Sequence, residues 1–239
     1  ACRQALALTP DHAEALINLG TLAQNRQAQA EARENFERAL RARPGHVEAR
    51  FGLAETAIAA GQIDEGRALL AGLIAENPRN WAARWLDLVG LPLVHASPAG
   101  VDDERERFMS RLDDLARDVE RYLSEDKAAI VEAVNFRTNF YFHYLGGDVR
   151  ATQERYGRLI ARIAAAAYPA YARRKAVKRK GGGPIRVGFA SSFFYSHSVM
   201  KSHAGWIQGL PRERFDIVLR SEEHTSELQS RLHLVCRLL

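Results

Sequence analysis

Cysteine is nearly absent: the 239 residues contain two, Cys2 and Cys236, at opposite ends of the chain. That spacing excludes a disulfide framework and a thiolate metal site, and a reducing, cytoplasmic compartment is the default. No apolar run reaches the roughly 18 residues that a membrane span requires, and the N-terminus lacks a charged-then-apolar leader. Neither GxGxxG nor GxxxxGK(S/T) occurs, so a dinucleotide or P-loop site has no support. HExxH, a Ser-His-Asp order and a defensible carboxylate pair are missing as well. There is no initiator Met, and the chain is expected to be a piece of a longer protein.

A charge excess is also missing once the charges are located. The net charge is +5, with 34 basic and 29 acidic residues. Six of the basic residues fall within Arg173 to Lys180, which contains no acid. Without them 28 cations face 29 anions, so the body is balanced. A short basic run without interleaved aromatics reads as a solvated linker, and nucleic acid is not an expected partner.

What is present is a period. Pro10, Pro44 and Pro78 stand 34 residues apart, the length of one tetratricopeptide (TPR) unit, a helix hairpin that must stack on neighbours to bury its apolar face. Residues 13–46 form one unit, with Leu16, Leu19, Gly20 and Ala23 on the first helix and Ala32, Phe36 and Ala39 on the second. Leu19 and Phe36 are expected to be buried. Residues 47–80 repeat the pattern through Leu53, Ala54, Ala57, Gly61, Gly66 and Leu70. Residues 1–10 match the end of a second helix, so the chain begins inside a repeat, and residues 81–90 are a degenerate continuation.

Stacked hairpins offer a concave surface suited to an extended protein or peptide partner. Asn18 precedes Leu19-Gly20 on the first helix, on the face turned away from the hairpin partner. Its carboxamide is able to donate to and accept from a peptide backbone; the alternative is an ordinary exposed helix asparagine. Gly52 takes the equivalent place in the next unit, which interrupts any asparagine ladder.

Residues 91–180 read as a helical connector and basic linker. Helices are predicted over 102–123, 125–145 and 149–167, with Gly146-Gly147 ending the second and Asp148 capping the third. Phe136, Phe140, Tyr141, Phe142 and Tyr144, with His143 among them, are helically spaced and expected to be core rather than a binding box.

From Pro184 the pattern becomes extended. Ile185–Ala190 has the content of a short buried strand; a polar loop to His197, a helix over 199–209, a turn at Pro211 and a second strand over 215–219 complete a βαβ unit with a parallel sheet beginning. Ligands of open parallel sheets sit at the carboxyl ends of strands, which places a site at the loop from Ser191 to Ser198. Within it His197 is placed to accept a hydroxyl proton or orient an acceptor, or else is a surface or strand-capping histidine. Lys201 and His203 lie a turn further on and read as an exposed helix face.

Repeats, a helical connector and the stretch IRVGFASSFFYSHSVMKSHAGWIQGLPRERFDIV together resemble the TPR-containing O-linked N-acetylglucosamine transferase (SPINDLY-like) family, over residues 1–219. The resemblance implies a mostly α fold: a TPR superhelix, a helical connector, then over 184–219 the first βαβ unit of a Rossmann-like domain of a GT-B glycosyltransferase. It implies transfer of a sugar from a nucleotide donor, UDP-N-acetylglucosamine, to Ser or Thr of a protein held by the TPRs. No metal or further cofactor is implied, and the donor is held mainly by a domain beyond this chain, which alone is expected to be inactive. Family members often carry S-S-D-F-x-x-H-P after this strand, whose His is implied to act near the reacting sugar; here it is His197. Phe193 replaces the Asp and Ser198 the Pro, the mark of a divergent bacterial branch. A TPR adaptor without catalysis, and a related transferase using another sugar or an Asn acceptor, are the alternatives.

Residues 220–239 begin RSEEHTSELQS, which resembles a translated sequencing adapter. They are expected to be a non-native tail.

Overall fold

The computed structural model describes residues 2–95, 97–172, 183–191, 193–195 and 197–220. They belong to two units, 1–174 and 175–239. The basic run from Arg173 to Lys180 and the tail from Ser221 onward lie outside the described residues.

The first unit is helical. It opens with α1 (Cys2–Leu8), α2 (Ala13–Asn25), α3 (Gln29–Ala42), α4 (Val47–Ala59), α5 (Ile63–Glu76) and α6 (Trp81–Val89). The 34-residue period is visible in the turns. The amides of His12, His46 and Asn80 donate to the carbonyls of Thr9, Arg43 and Asn77 at 3.1, 3.1 and 2.9 Å, so each proline-containing turn closes the same way. The same three residues cap the following helices, and two do so with side chains. His12 Nδ1 accepts from the Ala15 amide at 3.3 Å and Asn80 Oδ1 from that of Ala83 at 3.1 Å, each satisfying one free donor of a helix start. Inside the hairpins, Ala28 and Gln62 donate back to Ala23 and Ala57. This tight reversal needs a left-handed residue, supplied by Gln27 (φ 59°) in one hairpin and Gly61 (φ 81°) in the next.

Small residues let the helices close on a few large ones. Phe36, 1% exposed, packs with Ala23, Ala32 and Leu53. Leu16 meets Ala39 and Ala49, and Leu70, Leu73 and Leu86 fill the space around Ala54 and Ala83. The expectation for Leu19 is corrected: it is half-buried, and Leu16, three positions back, is the fully buried leucine of that helix.

The helices continue as α7 (Pro98–Tyr122), α8 (Lys127–Phe136), a 3-10 turn (Phe140–Leu145), α9 (Arg150–Ala167) and α10 (Pro169–Ala172). One core joins α6 to them through Trp85, Leu88, Phe108, Leu112, Phe142 and Ile163, with the Phe108 and Phe142 rings 4.2 Å apart. The helix predicted over 125–145 is interrupted. Arg137 is extended (φ −149°, ψ 147°) because its carbonyl accepts from the Trp85 indole at 2.8 Å and its guanidinium reaches Glu55 at 2.8 Å. Beyond the break most of the aromatic run faces outward. Phe142 is core, but Phe136, Phe140, Tyr141 and Tyr144 are exposed, as is His143, which corrects the core assignment for those residues. Asp148 Oδ1 accepts from the Arg150 amide at 3.0 Å, at the start of α9.

A buried ion network sits where α5, α6 and α7 meet. Arg67 holds Glu104 through two 2.7 Å hydrogen bonds. Arg107 donates to the Asp87 carbonyl at 2.9 Å and to Glu104 at 3.2 Å, and Arg111 reaches Asp87 at 2.9 Å. Burial raises the Glu104 carboxyl, but the hydrogen bonds of Arg67 and the charges of Arg67 and Arg107 outweigh it and leave its pKa lowered.

The second unit contains β1 (Ile185–Ala190), α11 (Ser198–Gly209) and β2 (Phe215–Arg220). The strands run parallel, from Ile185 opposite Phe215 to Ala190 opposite Arg220, so the ladder extends one residue past the predicted strand end. Among its described residues, Ile207 of α11 and Phe194 are the buried apolar ones. The buried strand expected over Ile185–Ala190 is not observed. Val187 and Phe189 are half-buried while Ile185, Gly188 and Ala190 are exposed, since two strands and one helix cover one face of a sheet at most.

Candidate functional site

The inner face of the helical array is formed by α2, α4 and α6, the first helix of each successive hairpin, with α8 facing them. Between these helices lies a groove of about 820 Å³, within the size range of ligand pockets. Its apolar lining includes Ile17, Val47, Phe51, Trp81, Ala133 and Phe136. The Phe51 and Phe136 rings meet at 5.5 Å and 57°, closing the α4 wall against α8.

Polar groups of the groove are mostly engaged. Gln24 Nε2 lies 3.0 Å from the Gly52 carbonyl, 3.0 Å from Thr56 Oγ1 and 3.2 Å from Glu55 Oε2. Glu55 is further held by Arg137. Arg79, the cation in the lining, pairs with Asp126 and lies 3.2 Å from Glu125. The Asp126 hydrogen bond raises the Arg79 pKa, and Arg79 in turn holds the Asp126 carboxyl below its ordinary value. Of the charged groups, Glu48 and Glu132 remain, and the exposed Asn135 carboxamide lies beside Glu132 in the lining. Glu48 is exposed beside His46 Nδ1 at 3.0 Å, an imidazole that carries charge only when protonated. Glu132 is exposed on α8 and has no ion pair among the described residues.

Asn18 is exposed on α2 but does not line this groove; its neighbours Ile17 and Thr21 do. Period reasoning would have found them. Ile17 and Phe51, Thr21 and Glu55, Val47 and Trp81, and Glu48 and Ala82 are each 34 apart, and all eight line the groove. The contribution of α8 has no such signal, because it comes from outside the repeats.

His197 lies in the second unit, directly before α11. Its Nδ1 accepts from the Val199 amide at 3.2 Å, a helix cap that leaves Nε2 as the ring's remaining polar atom. The ring stacks on Phe193 at 4.4 Å and 18°, with Tyr195 edge-on at 5.6 Å. Phe193 therefore covers one face of the imidazole. His203 Nδ1 lies 2.9 Å from the Val199 carbonyl, and Lys201 is exposed.

Two tetratricopeptide-repeat family models match the chain, one over residues 1–46 and one over residues 27–90. The hairpins of residues 1–90 are tetratricopeptide repeats. Such repeats generally mediate protein–protein interaction. No curated protein matches the chain. Among solved structures it is similar to an O-GlcNAc transferase mutant from Thermobaculum terrenum, at 18% identity and a TM-score of 0.53. The match takes in 98% of this chain and 35% of that one, so the chain spans about a third of the length of this relative. The likeness is one of fold. No helix of the described residues is long and apolar enough to cross a membrane.

Proposed function

We propose that the chain is the TPR array and catalytic entry of a bacterial, SPINDLY-like protein O-glycosyltransferase. This cytoplasmic enzyme moves N-acetylglucosamine from a uridine diphosphate donor to Ser or Thr of a protein acceptor. The observation that carries the reading is the order of elements: a grooved TPR array, a helical connector and a parallel βαβ unit occur in one chain whose fold resembles an O-GlcNAc transferase over nearly its whole length. An array that served only as an adaptor has no need of the βαβ unit.

In this reading the βαβ unit begins the first Rossmann-like domain of a GT-B fold, and the donor is held mainly by the facing domain. The groove holds the acceptor, with Asn18 contacting peptide backbone beside it. His197 takes the acceptor hydroxyl proton through Nε2, since Nδ1 is occupied by the cap, and Phe193 and Tyr195 hold the ring in orientation. The test is incubation of the enzyme that carries this chain with UDP-N-acetylglucosamine and an acceptor protein, read by mass spectrometry for an added N-acetylhexosamine.

A further inference from the structure

The groove has an unbalanced chemistry. Its apolar floor ends at the Phe51–Phe136 ring pair, with Phe136 42% exposed. Its lining cation is already committed to Asp126, and Arg137 beside it to Glu55. Glu48 on α4 and Glu132 on α8 are left as exposed carboxylates on the two walls that the ring pair joins. An occupant that fits must supply an apolar side chain for the rings and positive charge for the carboxylates. An acidic segment would meet two like charges, which costs binding and slows encounter.

Resting on the acceptor-binding reading above, we propose that the groove selects an extended peptide in which an apolar residue packs on Phe51 and Phe136 and an adjacent lysine or arginine is met by Glu48 and Glu132. Backbone contacts along an extended strand supply binding that is indifferent to sequence, while the ring pair and the two carboxylates supply the choice. The partner class is therefore a basic, apolar-anchored segment of an acceptor protein. The charged contacts are rim-exposed, so they tune specificity by modest factors and weaken with salt.

The probes are three dye-labelled Gly/Ser dodecapeptides with central Leu-Lys-Leu-Lys, Leu-Glu-Leu-Glu or Ser-Lys-Ser-Lys, titrated with the whole chain and followed by fluorescence anisotropy. The Leu-Lys peptide is expected to bind about tenfold more tightly than the Leu-Glu peptide, the scale of two partly screened ion pairs. The Ser-Lys peptide should bind weakly. Glu48→Lys with Glu132→Lys, both at exposed positions, should reverse the preference for charge. Peptides that bind without charge preference overturn this inference and leave the groove as an acceptor site. No binding of any peptide, together with sugar transfer undiminished by Phe51→Ala, overturns the reading on which it rests. A dimer that Phe51→Ala dissociates would show the groove to be covered by a second copy, and would also overturn it.

Discussion

The ring of Phe36, on the second helix of its hairpin, lies directly against the backbone of Gly52, on the first helix of the next. A Cβ at Gly52 would collide with the ring, and one at Gly20 would come within 2.8 Å of it. One aromatic side chain thus spaces three helices. Phe36→Ala is expected to lower stability by about 3–5 kcal/mol, the usual loss for a buried aromatic whose cavity cannot collapse. Gly52→Ala should also destabilise, because its Cβ would lie 2.4 Å from the ring, which Gly20 already confines from another helix. Urea unfolding followed by circular dichroism measures both, and a Phe36→Ala loss near zero would break the stacking account.

The hairpin reversals predict opposite responses at equivalent positions. Gly61 occupies a left-handed conformation that a Cβ disfavours, and Gly61→Ala should cost about 1–2 kcal/mol. Gln27 adopts the same conformation with a side chain, so Gln27→Gly should be neutral or slightly stabilising despite the added backbone freedom of the unfolded chain. Thermal melts of the two variants check the pair.

The fold was legible wherever a local rule governs it. The prolines, the small residues around Phe36 and the turn at Gly61 are read directly from spacing. Leu19 was misplaced because a helix face is broader than the strip that is fully covered. The aromatic run from Phe140 to Tyr144 was misread because its helical spacing assumed a helix that Arg137 ends, through bonds to Trp85 and Glu55 that lie 52 and 82 residues away. The groove was legible in kind but not in its residues: Asn18 is one position from the lining, and Phe136 comes from an element outside the period. For His197 the sequence left a proton acceptor and a surface or strand-capping histidine as alternatives; Nδ1 instead caps the helix α11, and Nε2 is left available.

Acid should loosen the junction of α5, α6 and α7. The Glu104 pKa is lowered in the folded protein, so its contribution is present above the ordinary carboxylate pKa of about 4.3 and is lost as pH falls through the depressed folded value. Glu104→Gln should therefore lower the melting temperature at pH 7 and differ little from the unmodified protein at the acid end. A constant difference across pH would remove the ion network from the account.

His197 offers a substitution that separates its two roles. His197→Asn keeps a side-chain acceptor for the Val199 amide, whereas His197→Ala loses the cap at about 0.5–2 kcal/mol. If Nε2 takes the acceptor proton, both variants should slow sugar transfer by about 10²–10⁴-fold in the enzyme that carries this chain, while donor binding survives. His203→Ala, on the exposed face of α11, should do much less. Full activity in His197→Asn would leave the residue as a cap alone.

The most direct measurement is sugar transfer to one protein acceptor by the unmodified enzyme and by its Phe51→Ala and His197→Asn variants, quantified by intact-mass spectrometry. The account expects addition of N-acetylhexosamine by the unmodified enzyme, a loss in kcat/KM for the acceptor protein in Phe51→Ala, and a loss in kcat in His197→Asn. No addition by the unmodified enzyme, with the TPR groove still binding its protein partner, would contradict the account and make the chain part of an adaptor.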